Sequence, residues 1–65
     1  MSKTLGYEAI AKNLQEFGFP DTTPEMIRET HEALLTGAER PHGIVSRFAE
    51  DQLRSRPDLF GEIPG

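Results

Sequence analysis

The sequence predicts an all-α fold: a compact three-helix domain with an ordered C-terminal tail. Three observations predict it. Three separate stretches gather their apolar residues on one side of a helical wheel, the first at i, i+3, i+4 and i+7 spacing. Glycine and proline fall between those stretches and punctuate them. The chain also has only 65 residues, room for one small domain over 1–65.

The first helix is expected over about 7–17. In "GYEAIAKNLQEFGF" the residues Tyr7, Ile10, Ala11, Leu14 and Phe17 fill an arc of roughly 120° on a helical wheel, an ordinary amphipathic stripe. Gly18 supplies a left-handed stop, Phe19 can fold back on Leu14, and Pro20 marks the exit.

The second helix, about 24–36, has the clearest boundaries. Thr23 is the N-cap, Pro24 takes the first helical position, Glu25 faces the positive end of the dipole, and Gly37 closes the far end. Met26, Ile27, Thr30, His31, Ala33, Leu34 and Leu35 cover roughly 200° of the wheel, twice what a surface helix needs. Glu25, Arg28, Glu29 and Glu32 form the wet strip. Such a helix is expected at the centre of the domain or against a second chain.

The third helix is expected over about 44–55, with Ile44, Val45, Phe48, Ala49 and Leu53 as its apolar side. It must end before Pro57, which pushes residue 56 out of the α region. Gln52 falls inside that apolar side, where a buried amide needs partners. In the tail, Leu59, Phe60 and Ile63 are apolar enough to cover an open edge of the core.

Composition narrows the function classes. The chain is acidic, with net charge −4, three basic and six acidic groups over 1–37 and four and five over 38–65. Neither half is basic, which disfavours nucleic-acid binding driven by phosphate neutralisation. Without cysteine there is neither a disulfide nor a thiolate metal site. No apolar run approaches the roughly 20 residues of a membrane span. "MSKTLGYEAI" lacks the charged start and long apolar segment of a signal peptide, so a cytoplasmic location is expected.

The most chemical stretch is "ERPHGIVSRF". Arg40, His42, Gly43 and Arg47 are candidate anion-binding residues, because a helix N-terminus offers unpaired N–H groups and Gly43 permits close approach. The plain alternative is a turn at Pro41 and Gly43, with His42 capping and Arg47 pairing Glu50 or Asp51. Two histidines and three scattered serines supply no nucleophile–base set, and neither histidine has a second ligand at helical spacing. No enzyme activity, cofactor or metal is therefore expected. Glu25, Glu29 and Glu32 share a face, but Arg28 among them marks a solvated strip.

"IAKNLQEFGFPDTTPEMIRETHEALLTG" followed by "RPHGIVSRFAEDQL" resembles small proteins of unknown function encoded by actinobacterial phages, mycobacteriophages in particular. The likeness covers about residues 7–53, with "GFPDTTPEMI" and "PHGIV..FAE" as its recognisable pieces. It implies a short protein made in the host cytoplasm and acting on a host or phage protein, and it carries no catalytic residues. The expected function is a non-enzymatic protein-interaction module that docks a helical surface onto a protein partner or a second copy of itself. Its contact candidates are Met26, His31, Leu35 and Gln52, with Arg47 and Arg54 adding charge selectivity. The alternative is a small helix-turn-helix-like DNA-binding regulator, against which Glu50 and Asp51 share the face of Arg47 and Arg54.

Overall fold

The computed structural model describes residues 2–64, with side chains described from residue 6. Four helices follow one another: α1 (Ser2–Phe17), α2 (Pro24–Thr36), α3 (Ile44–Arg54) and a single turn, α4 (Pro57–Phe60). Among the described residues there is no strand. The three long helices pack pairwise, each against the other two, so α2 is not a central rod with flanking neighbours.

Local chemistry accounts for most boundaries. The Thr23 hydroxyl accepts the Met26 N–H, Pro24 follows at the first helical position, and Gly37 adopts a left-handed φ of 78°. The N–H groups of Gly37 and Ala38 both return to the Ala33 carbonyl, satisfying an acceptor that the helix end would otherwise leave open. At the end of α1 the Gly18 and Phe19 N–H groups both return to Leu14, as its Gly-Phe-Pro sequence predicts.

One boundary departs from expectation. Helix α1 begins at Ser2 and runs straight through Gly6, a residue the sequence places before the helix. Packing accounts for the glycine inside the helix: a Cβ at Gly6 would lie 2.7 Å from the tip of the Phe60 ring. Gly6 is the gap in α1 that admits the tail.

The core consists of Ile10, Ala11, Leu14, Ile27, Leu34, Ala49, Leu53 and Phe60. Between α2 and α3 it also contains polar atoms. Thr30 Oγ1 donates to the Met26 carbonyl at 2.9 Å, so Ser46 Oγ donates to Thr30 at 2.8 Å and accepts the His42 N–H at 3.0 Å. Both hydroxyls are fully buried and fully used.

That hydroxyl chain turns α3 about its axis. Its buried residues are Ser46, Ala49 and Leu53, not the expected set running from Ile44 to Leu53. A small serine lets α3 approach α2 closely, and the apolar residues on the opposite side rotate outward. Ile44 is left 59% exposed and Phe48 half-buried.

The tail behaves as its composition predicts. Phe60 is buried and Leu59 and Ile63 half-buried. Arg54 donates to the Ile63 and Pro64 carbonyls at 3.0 and 3.1 Å, which fastens the tail to the end of α3.

Candidate functional site

The "ERPHGIVSRF" stretch is a braced turn. Gly43 is the N-cap of α3 at φ 58°, with no side-chain cap, so the expected capping role of His42 is not found. The His42 imidazole instead donates through Nε2 to Glu29 at 2.6 Å, tying the turn to α2. Arg40 places two N–H groups on Glu50 Oε1 at 2.9 and 2.7 Å, and Arg54 donates to Glu50 Oε2 at 2.9 Å. The Arg40 hydrogen bond holds the Glu50 carboxyl below its ordinary range, with Arg54 adding to the shift and partial burial opposing it. Arg40 and His42 are thus each held on a carboxylate of the chain itself, and the four candidate anion residues share no common focus.

The predicted contact residues of α2 do not form one surface. Met26 is half-buried beside Phe19 and Val45, whereas Leu35 is 49% exposed. They are nine residues apart and therefore about 180° out of phase on the helix. His31 is only 4% exposed and drops out as a contact residue. Its ring meets Tyr7 and Phe60 edge-on, at centroid distances of 5.8 and 5.5 Å, while Tyr7 and Phe60 stack at 5.4 Å. The Tyr7 hydroxyl and His31 Nδ1 share a hydrogen bond of 2.7 Å. Burial pushes the Tyr7 phenol up, with Arg28 opposing and Glu32 assisting. Gln52 is half-buried in a groove with Asn13, Leu59 and Phe60, and Arg54 is occupied by Glu50 and the tail.

Apart from Leu35, the large apolar residues left exposed belong to α3 and the end of α1. Phe17 is 66% exposed, and its ring lies 6.0 Å from Phe19 and 5.1 Å from Phe48, which are themselves 5.4 Å apart. Ile44, Arg47, Phe48 and Asp51 line one adjoining depression, at the i, i+3, i+4, i+7 spacing of a helix-packing stripe. Here the stripe faces outward. Arg47 was expected to pair with Glu50 or Asp51, but Glu50 is taken by Arg40 and Arg54. Among the described residues Arg47 and Asp51 form no ion pair.

Of the residues singled out in the sequence, Arg47 lies on this face and Met26 lies near it. Phe17, Ile44 and Phe48 were assigned to the core, and the missed signal was the breadth of the α3 arc. Ile44, Phe48, Gln52, Val45, Ala49 and Leu53 together span about 180°, more than one buried stripe requires.

Among the described residues no helix is long and apolar enough to cross a membrane, and no group of three His, Asp or Glu side chains could hold a metal ion. No protein family, curated protein or solved structure matches the chain.

Proposed function

We infer that this protein is a non-enzymatic interaction module that docks through the face formed by Phe17, Phe19, Ile44 and Phe48. The observation carrying this reading is the exposed aromatic cluster beside an outward-facing helix-packing stripe. Large exposed apolar groups gathered in one place favour association, whereas the same groups scattered singly would not. The matching partner surface is apolar at its centre and carries both signs of charge at its rim, because Arg47 and Asp51 border the patch. In the phage setting implied by the sequence resemblance, that partner is a host or phage protein met in the host cytoplasm, a second copy of the chain included.

Several features weigh against the other classes. His31 and His42 are engaged by Tyr7 and Glu29, and Ser46 is buried against Thr30, so these groups do not assemble a catalytic set. A DNA-binding surface would need free cations. Arg28, Arg40, Arg54 and Arg56 each lie within ion-pair distance of a carboxylate, which leaves Arg47 as the one arginine without an ion pair among the described residues.

Affinity capture from a host-cell lysate tests the reading, with wild type compared against the Phe17→Ser/Ile44→Ser double variant. The expected result is a protein retained by wild type and lost with the folded double variant. Equal retention by both would overturn this face as the docking site. Duplex-DNA binding that falls steeply with added salt would instead support the regulator reading.

A further inference from the structure

The docking face has a charge arrangement that selects among partners. Arg47 and Asp51 lie one helical turn apart on the same edge of α3, opposite in sign and unpaired within the chain's described residues. Ile44 and Phe48 form the neighbouring edge. The patch carries no net charge on a molecule of net charge −4.

Consider two copies related by a two-fold axis perpendicular to α3 near its midpoint. The two α3 helices run antiparallel, and the rotation keeps the Arg47–Asp51 edge of each copy on the same side of the interface. At 1.5 Å rise per residue, each Arg47 then falls within about 5 Å, along the helix direction, of the other copy's Asp51. Both charge pairs form at once, the two Phe48 rings meet across the axis, and each Ile44 lies against the C-terminal end of the other copy's α3. An isologous contact requires a surface complementary to itself, and this edge meets that requirement.

Resting on the docking reading above, we propose that the occupant of this face is a second copy of the chain, held as an antiparallel α3–α3 dimer with reciprocal Arg47–Asp51 pairs. A standard interface covers roughly 800 Å² per partner, about a fifth of the 4285 Å² this chain exposes. The α3 stripe and the adjoining Phe17 and Phe19 rings therefore take part together. The acidic remainder of the surface opposes association at long range. At physiological salt that repulsion is screened beyond about 8 Å, and the neutral patch sets the contact.

The test is sedimentation equilibrium of the full chain from about 10 μM to about 1 mM, a range that brackets weak dimers. Wild type is expected to dimerise. Arg47→Asp and Asp51→Arg should each raise the dissociation constant by about tenfold or more, because each places like charges opposite one another. The Arg47→Asp/Asp51→Arg double exchange should restore it to within about threefold of wild type, since the reciprocal pairs re-form with reversed sign. Should the double exchange misfold, Ile44→Ser takes its place, with an expected weakening of about tenfold. A wild type that remains monomeric throughout overturns the self-docking proposal, as does a dimer indifferent to these changes. Either failure leaves the lysate comparison as an independent test of the broader reading.

Discussion

Helix α1 carries an aromatic ring towards each end, and the two rings meet opposite fates. Tyr7 is covered: Phe60 stacks on it, His31 bonds to its hydroxyl, and Arg54 holds the tail that brings Phe60 into place. Phe17, ten residues or about 15 Å further along, touches Phe19 and Phe48 and otherwise faces solvent. The covered end owes its cover to topology. The end of α3 lies across a groove from the first half of α1, with Gln52 and Ser55 facing Gly6, Ala9, Ile10 and Asn13, so residues 57–63 can fold across that side. At the other end the connection 18–23 is occupied with turning the chain beside Met26 and Val45, whereas Gly37, Ala38 and Arg40 lie with Arg54 and Pro64 at the tail end. In this molecule one apolar edge serves the fold and the other remains available to a partner.

Substitutions at the two ends should therefore separate stability from association. The largest effect is expected at Phe60→Ala, which removes the ring packed against Tyr7, His31 and Gly6. Loss of a buried Phe typically costs about 3–5 kcal/mol, enough to unfold much of a small domain, and urea denaturation measures it. Next comes Thr30→Val, which preserves shape but breaks the hydroxyl chain to Ser46 and Met26. A loss of about 1–3 kcal/mol is expected in the same assay.

Gly6→Ala sets two effects in opposition. Alanine in a helix is favoured over glycine by about 1 kcal/mol, whereas overpacking costs about 1–3 kcal/mol. The Phe60 ring is confined by Tyr7 and His31 and cannot easily yield, so thermal unfolding should show a net loss of about 1 kcal/mol. A more stable Gly6→Ala protein would mean that the tail is loosely seated.

Glu50 gives the covered end a pH dependence. Its folded-state pKa lies below the ordinary value of 4.5, so its contribution to stability is present above that value and fades as pH falls through the folded pKa. Glu50→Gln should flatten the acid limb of the stability curve and leave its shape at neutral pH unchanged. At the open end the smallest effect is expected: Phe17→Ser should shift stability by no more than about 0.5 kcal/mol. A large loss there would show that Phe17 belongs to the core after all.

The parts of this arrangement legible in the sequence were those set by local chemistry. Thr23, Pro24 and Gly37 fix the ends of α2 through their own dihedral preferences and hydrogen bonds, independent of what α2 packs against. The apolar tail likewise announced a covered edge through Leu59 and Phe60. What escaped was rotational. The broad apolar arc of α3 allowed more than one buried face, and a buried Ser46–Thr30 contact chose among them. Serine and threonine give no hydropathy signal for burial, so the choice was invisible to periodicity. The same holds for Gly6, whose place inside α1 depends on a ring 54 residues away in the chain. His31 looked like a border residue because its cover comes from that distant ring and from Tyr7. Once α3 turned, Ile44 and Phe48 faced outward beside Phe17, on the face proposed for docking.

A concentration series followed by side-chain NMR tests the contrast most directly. As the protein is concentrated, the resonances of Phe17, Ile44 and Phe48 should move together along one binding curve, while those of Tyr7, His31 and Phe60 stay fixed. Signals that move at the tail-covered end, with the Phe17 end indifferent to concentration, would contradict the assignment of one edge to the fold and the other to association.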